Sequence, residues 1–297
     1  MTAAAERIRG YVRRTPSVAL EPGAFGVPGR LTLKLELLQH SGSFKARGAY
    51  NLLLSSDVPA AGVVAASGGN FGLAVAHAAR RLGVPATVFV PESSPDAKVS
   101  ALRRLDADVV VTGAYYAEAL DASRERVAET GALFAHAYDD PAVVAGAGPC
   151  GTEMADVDTV LVAVGGGGLA GGVATWFGDS ARVVAVETER TPTLSAALAA
   201  GEPVDVEVGG IAASSLGARR LGANCWAARH WIDAALLVPD EAVVATQRAL
   251  WESLRVVAEP GGAAALAALL SGAYVAEPDE RVTVLVCGAN VDPGSVG

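Results

Sequence analysis

Short apolar runs alternate along the chain with helical segments and glycine turns. Residues 31–36 alternate between apolar and polar side chains, which predicts a strand. Nearly continuous apolar runs, typical of strands in parallel sheets, lie at residues 63–67, 86–90, 108–112, 159–164, 182–187, 236–238 and 282–287. Helices are predicted at residues 5–14, 46–54, 73–82, 95–105, 115–130, 169–177, 242–254 and 263–270. This alternation predicts an α/β fold built on parallel sheets.

The predicted elements fall into two groups along the chain. Residues 48–142 are expected to form a small α/β domain, and residues 1–47 and 143–297 are expected to form a larger one. Each domain would hold an open, twisted, mostly parallel sheet with helices on both faces. Ligands in such folds bind beyond the carboxyl ends of the strands. We therefore expect a ligand site in the cleft between the two domains.

Composition and charge narrow the class of protein. Of the 297 residues, 51% are hydrophobic and 19% are charged, which is typical of a globular protein. The net charge of -9 argues against a nucleic-acid partner, because the basic residues form only isolated pairs. Three such pairs are expected to lie on solvated helix faces, namely Arg80–Arg81, Arg103–Arg104 and Arg219–Arg220.

Features of the sequence also bear on its location. The three cysteines, Cys150, Cys225 and Cys287, are far apart and lack the spacing of a metal site. They fit a reducing compartment without disulfides. No apolar run approaches the roughly 20 residues of a membrane span, and the first residues lack the apolar core of a signal peptide. The expected location is therefore the cytoplasm, without a membrane partner.

Lys45 has an unusual setting for a lysine. It follows Ser41-Gly42-Ser43-Phe44, precedes a predicted helix, and is one of only three lysines in the chain. A lysine in apolar surroundings at a helix N-terminus is desolvated and lies near the positive end of the helix dipole. Both effects favour the neutral amine, which is a nucleophile. Lys45 is therefore a candidate for a Schiff base, and the alternative is a surface lysine beside a turn.

Two glycine turns follow predicted strands and precede predicted helices. One is Gly68-Gly69-Asn70, and the other is the run Gly165–Gly168. A helix that begins after such a turn presents free backbone N–H groups, which bind anions. Four consecutive glycines also leave no Cβ to keep a ligand away from the backbone. The second turn is therefore predicted to hold a phosphate group.

The second glycine turn permits another interpretation. Gly166, Gly168 and Gly171 fit the fingerprint of a dinucleotide-binding fold, and Glu187 ends the next strand, where a ribose-binding acid would lie. This alternative is a nicotinamide-dependent oxidoreductase. Such an enzyme would have no use for the lysine motif. Four consecutive glycines also suit a compact monophosphate better than an extended pyrophosphate.

The order of the motifs resembles that of the fold-type II pyridoxal-phosphate enzymes. Within them it is similar to the serine/threonine dehydratase family, which includes serine racemases. The resemblance covers about residues 14–292 and rests on Ser43-Phe44-Lys45, Ser67–Asn70, Gly165–Gly168, Glu259-Pro260 and Cys287. It implies a fold like that of the tryptophan synthase β subunit, with pyridoxal phosphate in the cleft between two domains.

The resemblance also implies a role for each motif. Lys45 would be the catalytic residue and would bind the cofactor as a Schiff base, while Cys287 would face the pyridine nitrogen. The cofactor-binding residues would be Phe44, Lys45, Asn70, Gly165, Gly166, Gly167, Gly168, Leu169, Glu259 and Cys287. The residues that bind the substrate carboxylate would be Ser67, Gly68, Gly69 and Asn70.

Two positions depart from the family's pattern. Phe71 stands where many threonine-specific members have histidine, so the substrate pocket is expected to differ. Glu187 lies where some members bind a structural cation together with a further acidic residue, but Thr193 occupies the position of that residue. Because hard cations usually need several oxygen ligands, Glu187 is only a candidate ligand for a monovalent or divalent ion.

The implied activity is the β-elimination of L-threonine, L-serine or both, which yields a 2-oxo acid and ammonia. The implied assembly is a homodimer. Other fold-type II activities stay open, namely hydroxyaspartate dehydratase, serine racemase and β-replacement synthase. The sequence does not decide between serine and threonine, because one methyl group in a pocket is worth only about 1–3 kcal/mol.

Overall fold

The structure is a computed structural model that describes residues 1–296. Its strands, numbered along the chain, are β1 (Ser17–Ala19), β2 (Arg30–Lys34), β3 (Val63–Ala66), β4 (Ala86–Val90), β5 (Asp108–Val111), β6 (Leu133–Ala135), β7 (Thr159–Ala163), β8 (Arg182–Thr188), β9 (Ala234–Val238) and β10 (Arg281–Leu285). The strands predicted from apolar runs are all present, with ends that differ by one to three residues. The short strands β1 and β6 were not predicted.

The helices are also numbered along the chain. They are α1 (Thr2–Ile8), α2 (Lys45–Ser55), α3 (Asn70–Leu82), α4 (Asp96–Arg103), α5 (Tyr116–Thr130), α6 (Pro141–Ala147), α7 (Gly168–Phe177), α8 (Thr193–Ala200), α9 (Ala213–Leu216), α10 (Ala223–Ala228), α11 (Asp240–Leu254) and α12 (Pro260–Leu270). The prediction of a helix over residues 5–14 is wrong beyond Ile8. Gly10 has a φ of +85° there, which a helix cannot continue through.

Within residues 1–296 the strands form two sheets. The larger has the order β1-β2-β10-β7-β8-β9, and all its pairs are parallel except β1 with β2. The smaller has the order β5-β4-β3-β6 and is parallel throughout. The prediction of two mostly parallel sheets is confirmed. The central strands β7 and β10 are buried along their length, as expected for sheets covered on both faces.

Small residues allow the helices to approach one another closely around α2. A Cβ on Gly48 would lie 2.8 Å from the carbonyl oxygen of Val143 in α6, and a Cβ on Gly146 would lie 2.6 Å from that of Arg47. Neither position has room for a side chain. The helix that begins at Lys45 is therefore held tightly against α6, and it also packs against α3.

Three strands direct their carboxyl ends towards the region around Lys45. β7 leads into Gly165, β10 leads into Cys287, and β3 of the smaller sheet leads into Ser67. In the larger sheet β7 and β10 are neighbours, although they are far apart in sequence. Open parallel sheets bind ligands at such positions. None of the helices in residues 1–296 combines the length and the apolar character that crossing a membrane requires.

Candidate active site

The amine of Lys45 lies in a partly buried, mainly apolar setting. Its Nζ donates a hydrogen bond to the carbonyl oxygen of Ala137 at 2.7 Å. It also lies 5.1 Å from the ring centroid of Phe44 and 5.7 Å from that of Phe71. Loss of hydration lowers the pKa of Lys45 to about 8, although the nearby Cys287 and Glu259 act in the opposite direction. A useful fraction of the amine is therefore neutral near neutral pH.

The four glycines after β7 form a turn in which each lacks room for a side chain. A Cβ on Gly166 would clash with the ring of Tyr138, and one on Gly168 would lie 3.1 Å from the backbone of the same residue. Gly167 has a φ of +88° and precedes α7, whose N-terminus no side chain caps. The first N–H groups of this ten-residue helix thus have no intrahelical partner and are available to an anion.

The segment Ser67–Asn70 connects β3 with α3. No side chain caps the N-terminus of α3, which begins at Asn70. The side chain of Asn70 donates to Glu259 Oε1 at 2.6 Å and accepts from Asn290 Nδ2 at 2.6 Å. Asn290 in turn donates to the carbonyl oxygen of Ser41 at 2.8 Å. These bonds join the smaller sheet to the turn that precedes Lys45.

Glu259 and Cys287 lie on the opposite side of the lysine from the smaller sheet. Burial raises the pKa of Glu259 to about 7, although the hydrogen bond from Asn70 lowers it. Burial likewise raises the pKa of the Cys287 thiol, and its Sγ donates a hydrogen bond to the carbonyl oxygen of Gly261 at 3.3 Å. Cys287 is therefore a neutral thiol at neutral pH.

Two adjoining cavities meet at Lys45. The inner cavity is lined by the cofactor-binding residues predicted from the sequence, namely Phe44, Lys45, Asn70, Gly165, Gly166, Gly167, Gly168, Leu169, Glu259 and Cys287. The outer cleft has a volume of about 420 Å³ and is lined in part by Ser67, Gly68, Gly69 and Phe71. Tyr138 lines both cavities and packs against the glycine turn.

The sequence of residues 8–288 matches the family described as pyridoxal-phosphate dependent enzyme. The chain belongs to this family. Among its relatives, the L-threonine ammonia-lyase of Geobacter sulfurreducens is 38% identical over 97% of this chain and 74% of its own. The putative threonine dehydratase of Sinorhizobium fredii is 38% identical over 98% of this chain and 91% of its own.

Solved structures agree with the assignment to the pyridoxal-phosphate-dependent family. The structure of maize serine racemase has a TM-score of 0.93 with 32% identity and covers 99% of this chain and 94% of its own. The threonine deaminase of T.th. has a TM-score of 0.91 with 35% identity and covers 98% and 97% respectively. The predicted fold-type II resemblance is confirmed, and the alternative of a nicotinamide-dependent oxidoreductase is wrong.

The residues of the inner cavity fit the cofactor of this family. The glycine turn leaves a cradle that any Cβ would fill, and the uncapped start of α7 suits a phosphate group. Lys45 presents an amine with a lowered pKa, as an aldehyde requires of its partner. The remaining walls combine a ring, an amide, a carboxyl group and a thiol, which suit a flat, partly polar ring.

The lysine helix of this family member also carries a buried group of charges. Arg47 donates to both oxygens of Glu36, at 2.7 and 2.8 Å, and pairs with Glu153 at 2.9 Å. Lys34 Nζ lies 2.6 Å from Glu153 and donates to the carbonyl oxygen of Thr15 at 2.6 Å. The two positive and two negative charges balance. Sequence reasoning missed this group, because its members lie far apart in the chain.

Glu187, the tentative cation ligand, has another role in the structure. Its carboxylate accepts hydrogen bonds from the backbone N–H groups of Leu194 and Ser195, at 2.7 and 2.9 Å, and from the hydroxyl groups of Thr193 and Ser195. Both oxygens are thereby occupied at the start of α8. Among the residues that the structure describes, no cluster of three or more His, Cys, Asp or Glu side chains could hold a metal ion.

The prediction that Arg219 and Arg220 lie on a solvated helix face is wrong. They follow α9 in irregular backbone and line the outer cleft together with Tyr116. Sequence reasoning also missed Tyr138 and Asn290. The position of Asn290, three residues after Cys287 and just past a glycine, was the available signal. Tyr138 gave no comparable signal.

Proposed function

We propose that the protein is a pyridoxal-phosphate-dependent dehydratase that converts L-threonine, L-serine or both into a 2-oxo acid and ammonia. The observation that carries the proposal is the position of Lys45, between the segment Ser67–Asn70 and the turn Gly165–Gly168. Relatives that are 33–38% identical and are called threonine ammonia-lyases or threonine dehydratases support the choice of reaction.

Each part of the site would have a separate task. The amine of Lys45 would hold the cofactor aldehyde, and the N–H groups of Gly165–Leu169 would hold its phosphate. Phe44, Asn70, Glu259 and Cys287 would surround its ring. When bound, pyridoxal phosphate supplies an electron-accepting ring that stabilises negative charge at the substrate α-carbon.

The chain itself would move the protons. The neutral amine of Lys45 would accept the α-proton, and its pKa of about 8 makes that form accessible near neutral pH. Phe44 and Phe71 would keep water away from the amine. The backbone of Ser67–Asn70 would orient the substrate carboxylate at the start of α3, and thus hold the α-proton near Lys45.

The cofactor assignment is tested by absorbance spectroscopy and mass spectrometry. Purified protein should absorb in the visible range, and reduction with borohydride should leave a pyridoxyl group on Lys45. Lys34 and Lys98 are the chain's other lysines and serve as internal controls. A modification found on Lys98 instead, or a colourless protein that pyridoxal phosphate does not convert, would contradict the assignment.

The reaction is tested by measuring 2-oxo acid release from a panel of amino acids. L-Threonine should give 2-oxobutanoate and L-serine should give pyruvate, each with one equivalent of ammonia. An allothreonine and an O-acetylserine control separate elimination from β-replacement. Holoenzyme that releases no 2-oxo acid from any β-hydroxy amino acid would refute the proposed function.

Four further expectations belong to this proposal. The division into residues 48–142 and residues 1–47 with 143–297 is supported by the two sheets, which limited proteolysis would test. The homodimer is tested by sedimentation, and the cytoplasmic location by fractionation. A cation at Glu187 stays a prediction, although hydrogen bonds occupy its carboxylate. Activity that is insensitive to chelators and to a change from sodium to potassium would contradict it.

A further inference from the structure

The outer cleft is positively charged although the protein as a whole is negative. Asp and Glu outnumber Lys and Arg by 32 to 23, for a net charge of -9. Yet the described residues that line the outer cleft include Lys45, Arg219 and Arg220 and no carboxylate. A cleft that concentrates one sign of charge attracts ligands of the opposite sign.

The backbone that carries the two arginines is held in place. Val206 donates its N–H to the carbonyl oxygen of Arg219 at 2.8 Å, and residues 205 and 220 form an antiparallel bridge. Gly222 donates to the carbonyl oxygen of Gly166 at 3.0 Å, and Leu221 is buried between them. The arginines are thereby fixed relative to the glycine turn rather than carried on a free loop.

Both guanidinium groups are available to a ligand. Within residues 1–296, the side chain of Arg219 makes no hydrogen bond or ion pair with another residue. Arg220 pairs with Asp205 at 3.3 Å, but the two side chains are 55% and 71% exposed. Such an exposed pair is worth little and gives way to a better partner.

The proposed reaction leaves these two charges without a role. The cofactor phosphate would be held at Gly165–Gly168, and the α-carboxylate of the substrate at Ser67–Asn70. L-Threonine and L-serine carry no further negative group. Arginine pairs with a carboxylate through two parallel hydrogen bonds, so the chemistry of this wall suits one more carboxylate.

We propose that the enzyme also dehydrates a β-hydroxy amino acid that carries a second carboxylate on the β-carbon, recognised by Arg219 and Arg220. The smallest compound of this class is 3-hydroxyaspartate. This proposal rests on the proposed function. The substrate loses a proton from its α-carbon and a hydroxide from its β-carbon, so water and an enamine form. The enamine tautomerises to an imine, and water hydrolyses it to oxaloacetate and ammonia, without net oxidation.

The first test compares substrates and variants of the holoenzyme. We expect kcat/KM for a 3-hydroxyaspartate diastereomer to exceed that for L-serine by about tenfold or more. In the double variant Arg219→Gln/Arg220→Gln, the ratio of these two constants should fall about 10- to 100-fold. The variant Arg219→Lys/Arg220→Lys should lose less than about threefold, because it keeps the charge. Arg248→Gln removes an exposed arginine of α11, outside the lining of the cleft, and should leave the ratio unchanged.

The second test measures binding without turnover. Titration calorimetry of the holoenzyme with succinate and with propionate compares two carboxylates with one. Succinate should bind at least about tenfold more tightly, the preference should weaken with added salt, and the double glutamine variant should lose it.

The outcomes separate the two proposals. Release of 2-oxo acid from L-serine or L-threonine, with no preference for the dicarboxylic compounds or with a preference that survives the double glutamine variant, would overturn this inference alone. Failure with every β-hydroxy amino acid would overturn both proposals.

Discussion

Replacing Arg47 by methionine should destabilise the protein strongly. Arg47 is the second residue after Lys45 in α2, and its guanidinium group contacts Glu36 and Glu153 at 2.7–2.9 Å. The side chains of Arg47 and Glu36 are 1% and 0% exposed, and that of Glu153 is 8% exposed. Methionine keeps an unbranched chain but leaves two buried carboxylates with only Lys34 to balance them.

The magnitude follows from the charges that remain. Lys34, Arg47, Glu36 and Glu153 sum to zero, and Arg47→Met changes that sum to minus one. Removing one partner of a buried ion pair costs about 3–5 kcal/mol, because the other charge is left uncompensated. We therefore expect the free energy of unfolding to fall by about 3–5 kcal/mol. The variant Arg47→Met/Glu36→Gln restores neutrality and should recover about 0.5–3 kcal/mol of that loss.

Urea unfolding at pH 7, followed by tryptophan fluorescence and circular dichroism, measures the change. The matched control is Arg248→Met, which removes an exposed arginine and should alter the free energy of unfolding by less than about 0.5 kcal/mol. An Arg47→Met loss below about 1 kcal/mol would refute the argument. So would a double variant less stable than the single one, because the penalty would then not come from the unbalanced charge.

The same network predicts a dependence on pH. Burial raises the pKa of Glu153, but its bonds to Arg47 and Lys34 outweigh burial and leave that pKa below its usual value. A carboxyl group with a lowered folded pKa contributes stability that is present above its unfolded pKa and is lost as the pH falls through the folded pKa. Arg47→Met removes part of this lowering, so the difference in stability between parent and variant should shrink in acid.

Three further predictions concern the reaction. Gly68→Ser should raise the share of D-serine formed from L-serine relative to pyruvate, because glycine offers no proton there; a Cβ would lie 3.3 Å from Ser94 Oγ, so the fold should adapt. Cys287→Ser should keep most of the 2-oxo acid release, because a hydroxyl group offers a similar weak hydrogen bond, whereas Cys287→Asp should lower it severely. The rate at which the apoprotein captures pyridoxal phosphate should rise about fivefold from pH 7 to pH 8 and level off above, because the pKa of Lys45 is about 8 and only the neutral amine reacts.

Each of these predictions has a result that would contradict it. Racemisation by the parent as fast as pyruvate formation would remove the role given to Gly68. A folded Cys287→Asp variant as active as the parent would show that Cys287 does not meet the cofactor ring. A capture rate that is flat between pH 7 and pH 8 would place the pKa of Lys45 elsewhere. Circular dichroism of each variant verifies its folded fraction.

Local patterns were sufficient to predict the scaffold and part of the site. Apolar runs that end in glycine located β3, β7 and β10, and these strands deliver Ser67, Gly165 and Cys287 to one region. Periodicity failed where elements are short or hold few apolar residues, as in β1 and β6. The helices α6 and α8 were missed, since both lie in stretches that were interpreted as loops.

Contacts between distant residues could not be predicted in this way. Asn290 reaches Asn70 across 220 residues, and Glu153 reaches Arg47 across 106. Glu187 shows the opposite error, since its position beyond a strand suggested a ligand and its partners are the N–H groups of the following helix. Arg219 and Arg220 formed an ordinary pair in the sequence, and only the fold placed them in the cleft.

The position of β10 has a consequence for the synthesis of the protein. This strand lies between β2 and β7 in the larger sheet, yet it follows every other strand of residues 1–296 along the chain. During synthesis β2 therefore emerges from the ribosome long before the neighbour that joins it to β7. The smaller sheet, whose strands all lie between residues 63 and 135, can assemble much earlier. The nascent chain thus waits with half its architecture built, and the coenzyme can enter only when translation is almost over.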